Sequence, residues 1–377
     1  MKDRIERGFI VLADISGFTS FMERTEIAHS ATILQGLINL IIQRFSPVLH
    51  IAEVEGDAVF AYVPESRITR GELLLELIEA TYADYRDRQQ TMQHNAGCPC
   101  RACQAIHTLD LKFVTHHGEY ILQDIAGKRK PVGASVNLVH RLLKNNINAV
   151  TGWRGYALFS QPSLENMRVH PDVMRYLDIP YEFGVVPTGI IDLNARYNKL
   201  LQDRRVFLSR EEADLSTSYT FNALPPVVWD WLTDPRKRKH WVPHSNLSVE
   251  QQPLGRTGPS TRYHCSTSDV IEEIVDWRPF KYYTVYLIKG RFKIMITSEL
   301  EPVESGTHIR WNMKWCGPLS RMIGRPVTRF FANKKFQLKE NFERLAQLAA
   351  DVEKPERPGD AAAASAYRSS QSEKMPG

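Results

Sequence analysis

The sequence predicts an α+β protein made of two successive domains, and three observations lead to this expectation. The chain has 377 residues, which is more than one ordinary hydrophobic core takes. In residues 1–200 the apolar patterns follow the order strand, helix, hairpin, helix, strand, which is the ferredoxin-like plan. In residues 205–352, alternating stretches rich in tryptophan precede one long amphipathic pattern at about 326–350. An α+β arrangement, in which an antiparallel sheet is closed by a C-terminal helix, is therefore expected there.

The elements of the first domain follow from periodicity and turn residues. The apolar run at 9–12 predicts a buried strand, because large apolar residues continue on both of its faces. The remaining patterns predict helices over 30–45, 70–88 and 133–143, two strands within 48–63 around a turn at Gly56 and Asp57, strands at 109–116, 155–160 and 181–191, a polar Cys-rich insertion over 90–107 and a basic loop over 121–132.

The composition excludes several classes of protein. A hydrophobic fraction of 43% and a charged fraction of 24% indicate a globular chain rather than a disordered one. The net charge of +5 is too small to indicate a nucleic-acid partner, and no apolar run reaches the roughly 18 residues of a transmembrane segment. The N-terminus lacks the apolar core of a signal peptide, and five cysteines do not indicate a disulfide framework, so a cytoplasmic location is expected. Residues 353–377, rich in Pro, Ala and Ser, predict a disordered tail.

Two acidic residues mark a candidate site in the first domain. Asp14 ends the first strand, and the following Gly17 permits a sharp turn and a close approach of the backbone to a ligand. Asp57 lies at the hairpin turn, and the hairpin strands of a ferredoxin-like sheet can neighbour the first strand. Two converging carboxylates either share a proton or hold cations, and a loop running into a helix N-terminus favours two-metal phosphoryl chemistry. The alternative for Asp14 alone is a turn or capping residue.

Three blocks, LADISGFT, EVEGDAVFAY and VGASVNLVHRL, occur in this order along the first domain. Together they resemble the signature blocks of class III nucleotidyl cyclase catalytic domains, over about residues 8–192. The resemblance implies that Asp14 and Asp57 bind two Mg²⁺ or Mn²⁺ ions. It also implies that backbone amides cradle the triphosphate, namely those of Ile15, Ser16, Gly17 and Phe18.

The third block supplies the remaining residues that the resemblance implies. Asn137 matches the asparagine that orients the ribose, and Arg141 matches the arginine that stabilises charge on the α-phosphate. In this family the site lies between two copies of the domain. A homodimer is therefore expected, in which Asn137 and Arg141 of one copy face the metal-binding aspartates of the other.

The two positions that select the purine base depart from the family pattern. Glu53 is the residue that guanylate-type enzymes use, whereas Lys130 matches neither type and could neutralise Glu53 across the site. The lysine that usually contacts phosphate late in the domain is missing, and the nearest match is Thr188.

The Cys-rich insertion is a second chemical feature. Cys98, Cys100 and Cys103 lie within six residues and His107 follows, a set that suits a tetrahedral Zn²⁺ site with a structural role. The alternatives are unmetallated thiols, or a redox pair in which Arg101 favours the thiolate.

The second domain carries a second resemblance. The stretches YTFNALPPVVWDWL, GPSTRYHC and IVDWRPF resemble the START-like (SRPBCC) superfamily over about residues 215–348. The resemblance implies a curved sheet around a long helix and a deep cavity for an apolar small molecule or lipid. Tyr263, His264 and Trp311 either line that cavity or are ordinary sheet residues.

The expected function is that of a divergent nucleotidyl cyclase, which converts a purine nucleoside triphosphate to a cyclic nucleotide and pyrophosphate by two-metal chemistry. Regulation by an apolar ligand of the second domain is a further expectation. The alternatives are a catalytically inactive nucleotide- or lipid-binding signalling module on a cyclase scaffold, and a lipid carrier whose first domain only dimerises.

Overall fold

The computed structural model describes residues 5–68, 70–94, 100–125, 127–169, 171–181, 184–202, 205–243, 245–253, 255–317 and 320–350. Cys98 and the tail predicted to be disordered at 353–377 lie outside these ranges. Within them, no helix is both long and apolar enough to cross a membrane.

The first sheet is built around its N-terminal strand. Its strands are β1 (Ile5–Ser16), β2 (His50–Glu55), β3 (Ala58–Pro64), β4 (Asp110–Ile125), β5 (Lys128–Val132), β6 (Tyr156–Ser160), β7 (Arg175–Tyr181) and β8 (Gly184–Asp192). They follow the order β2-β3-β1-β4-β6-β8-β7, and β5 pairs with β4. The hairpin β2–β3 thus lies directly beside β1, as the ferredoxin-like plan predicts.

Helices cover both faces of this sheet. They are α1 (Phe18–Arg24), α2 (Ile27–Phe45), α3 (Glu72–His94), α4 (Arg101–Ala105), α5 (Ala134–Leu143), α6 (Ile147–Thr151), α7 (Gln161–Met167) and α8 (Leu193–Gln202). Successive side chains of β1 serve two cores: Val11 packs in the cluster that contains Leu37 of α2, and Leu12 packs in the cluster that contains Val139 of α5. The uninterrupted apolar run of β1 follows from burial on both faces.

The second sheet is antiparallel throughout and follows the order β10-β11-β12-β13-β14-β15-β9. Its strands are β9 (Leu215–Phe221), β10 (Leu247–Gln251), β11 (Arg262–Cys265), β12 (Val270–Arg278), β13 (Tyr282–Lys289), β14 (Phe292–Val303) and β15 (Gly306–Trp315). The accompanying helices are α9 (Pro225–Thr233), α10 (Pro235–Trp241), α11 (Ser320–Phe330) and α12 (Leu338–Ala350). Phe342 of α12 packs against Trp311 and Phe221 of the sheet, with ring centroids 5.0 and 5.7 Å apart.

Three sequence expectations are corrected here. The single helix predicted at 326–350 is broken by a π-helical turn, Phe331–Lys335, and by Gln337, whose φ of 50° lies in the left-handed region. The basic loop predicted at 121–132 is instead the hairpin of β4 and β5. The polar insertion contains α4, whose Ala102 is fully buried, so this segment is anchored in the core.

Helix α3 carries buried charges into the second domain. The Arg70 guanidinium, just before α3, donates to Glu76 Oε2 at 3.0 Å and to Asp230 Oδ1 of α9 at 3.3 Å. The indole nitrogens of Trp229 and Trp277 donate to the two carboxylate oxygens of Glu76, at 3.1 and 3.2 Å. Glu76 is 2% exposed, so this carboxylate of the first domain is satisfied largely by groups of the second.

We predict that Arg70→Met lowers the free energy of unfolding by about 3–5 kcal/mol, because it leaves the buried charges of Glu76 and Asp230 without their shared cation. Chemical denaturation monitored by tryptophan fluorescence measures the change. Arg7→Met is the matched control: Arg7 is 57% exposed and its pair with Glu65 is long at 3.8 Å, so its loss should cost less than about 1 kcal/mol. Equal effects of the two substitutions would contradict the assignment.

Candidate functional site

The fold brings Asp14 and Asp57 together at one end of the first sheet. Asp14 pairs in register with Ala58 of β3 and with Lys112 of β4. The backbone N–H of Ile15 donates to the carbonyl oxygen of Asp57 at 3.3 Å, which ties the end of β1 to the β2–β3 turn. The convergence expected from strand order alone is therefore present.

The two carboxylates influence each other electrostatically. Partial burial, followed by the negative charge of Asp14, raises the pKa of Asp57 to about 6. The Lys112 ammonium lies 3.1 Å from Asp14 Oδ2 and partly offsets this charge. The sequence interpretation missed Lys112. Its position on the strand predicted at 109–116 could have indicated it, because this strand pairs with the strand that carries Asp14.

The residues present fit a hard divalent cation. Carboxylate oxygens are the ligands that Mg²⁺ and Mn²⁺ prefer, and a cation beside Asp57 would offset both its partial burial and the nearby charge of Asp14, which together raise its pKa. Lys112 already supplies one positive charge beside Asp14, so the described groups have less need of a second metal ion than a pair of carboxylates alone would have.

The loop that follows Asp14 is closed by a neighbouring arginine. Gly17 has a φ of 88°, and a Cβ added to it would lie 2.8 Å from Nη2 of Arg154 and 3.0 Å from the carbonyl oxygen of Thr108. The side chain of Ile15 is buried, while the Ser16 hydroxyl donates to the Arg154 carbonyl at 3.2 Å. Only glycine fits this turn, and Arg154, an exposed cation that the sequence interpretation did not identify, lies directly against it.

Asn137 and Arg141 are not brought to the aspartates within one chain. Both are exposed on α5, one helical turn apart, and the guanidinium carbon of Arg141 lies 5.3 Å from the ring centroid of Tyr181. Among the contacts of the described residues, none joins either side chain to Asp14 or Asp57.

Glu53 and Lys130, at the two positions that the family resemblance assigns to base selection, contact each other. Lys130 Nζ donates to Glu53 Oε1 at 2.6 Å, between β5 and β2, and both side chains are partly exposed. This confirms the expectation that Lys130 neutralises Glu53. Thr188 is buried and its hydroxyl donates to the Leu177 carbonyl at 2.6 Å, so it does not replace a phosphate-binding lysine.

The histidine that lies beside the cysteines of the insertion is His29 and not the predicted His107. His29 Nδ1, Cys100 Sγ and Cys103 Sγ all lie within 4.8 Å of one another. His107 lies outside this group, with its Nδ1 2.8 Å from the Gln104 carbonyl. The sequence interpretation missed His29, because it comes from α2, about 70 residues earlier, and local spacing gives no signal for it.

A small cavity lies inside the second sheet, among the residues that the structure describes. The cavity between the sheet and the C-terminal helices has a volume of about 40 Å³ and is lined by side chains that include Trp241, Trp311 and Phe336. Of the predicted lining residues, Tyr263 instead bonds to Thr257, and His264 Nε2 lies 3.2 Å from Asp269 Oδ1. A cavity of this size holds a water molecule, whereas drug-sized ligands need about 300 Å³ or more.

A larger cleft of about 930 Å³ lies between the domains. α3 and α8 form one wall, and residues 256–260 together with β12 form the other. Its charged lining includes Glu79, Arg196 and Arg256. Burial raises the pKa of Glu79, but the guanidinium groups of Arg256 and Arg196, 2.7 and 3.0 Å away, outweigh it and hold the pKa below its ordinary value.

Two family models match parts of the chain. Residues 34–151 match a family described as "Protein of unknown function (DUF2652)", and residues 212–350 match one described as "Polyketide cyclase / dehydrase and lipid transport". The second match confirms the START-like helix-grip domain. An uncharacterized protein of Mycobacterium tuberculosis (strain ATCC 25618 / H37Rv) is 30% identical over 99 residues, which are 26% of this chain and 46% of that protein. The chain thus spans about half the length of this curated relative.

Solved structures similar to this chain include cyclases. A bacterial light-regulated adenylyl cyclase is 13% identical with a TM-score of 0.40, over 54% of this chain and 58% of that one. The adenylyl cyclase CyaB from P. aeruginosa is 15% identical with a TM-score of 0.39, over 51% and 97%. The guanylyl cyclase Cya2 is 20% identical with a TM-score of 0.36, over 51% and 93%. All three are thus adenylyl or guanylyl cyclases, at identities of 20% or less and TM-scores of 0.40 or less.

Proposed function

We propose that the first domain is a divergent nucleotidyl cyclase that converts a purine nucleoside triphosphate to a cyclic nucleotide and pyrophosphate. The observation that carries the proposal is the convergence of Asp14 and Asp57, whose coupled charges favour a bound cation. A divalent cation bound there would lower the pKa of the ribose 3′-hydroxyl and neutralise the triphosphate.

The remaining roles fall to other parts of the chain. In this proposal the loop at Gly17 accepts the triphosphate, and the neighbouring Arg154 supplies a cation in place of the missing lysine. Asn137 orients the ribose, and Arg141 meets the charge that develops on the α-phosphate. Both project from the exposed side of α5, so the proposal requires that a second copy of the chain supply them.

Two ion pairs favour a second candidate, a module that binds nucleotide without turning it over. Lys130 forms an ion pair with Glu53 and so competes with guanine for the hydrogen bonds of this carboxylate. Lys112 forms an ion pair with Asp14 and neutralises part of its charge. A site in this state retains a place for an anionic phosphate chain beside cations but lacks a free base-reading carboxylate.

The proposal also includes regulation by an apolar ligand of the second domain. An apolar ligand larger than the 40 Å³ cavity would have to displace aromatic side chains such as Trp311 and Phe336. α3 packs in the core of the first domain, and its Glu76 accepts a hydrogen bond from Trp229 of the second domain. A displacement of side chains in the second domain could therefore shift α3 and, through it, the first sheet.

The direct test is a turnover assay with Mg²⁺ or Mn²⁺ and either ATP or GTP. The proposal predicts cyclic nucleotide formation that falls at least about 100-fold in Asp57→Ala, since a lost metal ligand removes several kcal/mol of transition-state stabilisation. Asp172→Ala, which removes an exposed aspartate from a surface loop, is the matched control and should retain activity. Turnover that survives in Asp57→Ala contradicts the proposal, and nucleotide binding without turnover favours the second candidate.

A second prediction concerns Lys130→Ala. Removing this ammonium takes away the cation that pairs with Glu53 and would compete with the guanine N1–H and N2–H, so the affinity for GTP should rise about tenfold relative to ATP, or about 1.4 kcal/mol. Isothermal calorimetry with both nucleotides measures the ratio. Arg175→Ala, which removes an exposed cation on β7, should leave the ratio unchanged. A loss of GTP affinity in Lys130→Ala would show that Lys130 contacts the nucleotide instead.

A further inference from the structure

We propose that His29, Cys100 and Cys103 form a structural Zn²⁺ site that fastens the insertion after α3 to the N-terminal turn of α2. The three ligand atoms lie within 4.8 Å of one another and come from two segments about 70 residues apart. This inference does not depend on the cyclase-type function.

The spacing of the ligand atoms agrees with tetrahedral zinc. Zn–S and Zn–N bonds of about 2.3 and 2.0–2.1 Å place a sulfur and a nitrogen ligand about 3.6 Å apart. His29 Nδ1 lies 3.1 Å from Cys100 Sγ and 4.0 Å from Cys103 Sγ, on either side of this value. Small side-chain rotations would equalise the two distances, and the fourth position is open to water or another ligand.

The local backbone directs an amide at one of the two sulfurs. The N–H of Cys103 donates to Cys100 Sγ at 3.4 Å, and Cys100 is the N-cap of α4. An amide directed at the sulfur stabilises negative charge there, as backbone amides around metal-bound thiolates do. Binding through Nδ1 leaves the proton of His29 on Nε2, and each thiol that coordinates releases one proton to solvent.

The two segments are held together by contacts that need no metal. Glu26, at the N-terminus of α2, accepts from the Ala102 backbone N–H at 3.0 Å and from Arg101 Nε at 3.4 Å. On the other side, Gln89 of α3 donates to the Ile106 carbonyl at 2.6 Å. The ligand set is therefore positioned in advance on a docked element, which reduces the ordering that metal binding would otherwise require.

The site lies next to the candidate nucleotide loop. The segment that begins at Cys100 leads through the turn Ile106–Thr108 to the Thr108 carbonyl that closes over Gly17. Zinc would therefore hold the piece of chain that shapes this loop. The imidazole nitrogen near both sulfurs would supply a third donor to a zinc ion.

The test is zinc retention by the full-length chain under reducing conditions. The protein is incubated with Zn²⁺ and dithiothreitol, desalted and analysed by mass spectrometry for metal. We expect about one Zn²⁺ per chain, and after Co²⁺ substitution a thiolate-to-metal charge-transfer band. His29→Asn, at an exposed position, should fold normally and weaken retention at least tenfold, and Cys100→Ser should abolish the charge-transfer band or reduce it sharply.

The matched controls are His107→Asn and Cys316→Ser, which remove the nearby histidine outside the cluster and an exposed cysteine of the second domain. Both should retain zinc. Failure of the wild-type chain to retain zinc, or equal retention by His29→Asn and the wild type, overturns the proposal. A chain that binds no zinc but forms a Cys100–Cys103 disulfide on mild oxidation would instead contain a redox pair.

Discussion

The buried Arg70–Glu76 ion pair is the interaction on which the arrangement of the two domains depends. Its members lie at the start of α3, and Trp229, Trp277 and Asp230 of the second domain complete the hydrogen bonds of their charges. Leaving a buried carboxylate without its hydrogen-bond donors is costly, so the positions of these donors define the docking geometry. The other face of α3 packs on the core below β1. One helix thus connects the strand that carries Asp14 with the second sheet.

In the candidate site the two aspartates lie close together, whereas the carboxylate at the base-selecting position is already paired with a lysine. Strand order alone brings Asp14 and Asp57 together, and their mutual repulsion creates the demand for a cation. The base-reading side is occupied by the Lys130–Glu53 pair, and the residues that would act on the α-phosphate face outward from α5. In our proposal a second copy of the chain supplies them.

Periodicity and strand order allowed the two-sheet architecture and the meeting of Asp14 with Asp57 to be predicted from the sequence. Side-chain partners across sheets and segments could not be predicted in the same way. Lys112 meets Asp14 only through the β1–β4 register, and His29 meets Cys100 only because α4 docks on α2. The break near Gln337 also escaped prediction, because the apolar spacing continues through it while the backbone does not. Non-local contacts decide these features, and local patterns do not encode them.

In our proposal each active site is built from two copies of the chain. Its most direct test mixes two inactive variants, Asp57→Ala and Arg141→Ala, by co-expression and measures cyclic nucleotide formation. If the sites form between copies, half of randomly paired dimers contain one intact site of two, so about a quarter of wild-type activity should return. A mixture that stays as inactive as each variant alone, beside an active wild type, would contradict the account.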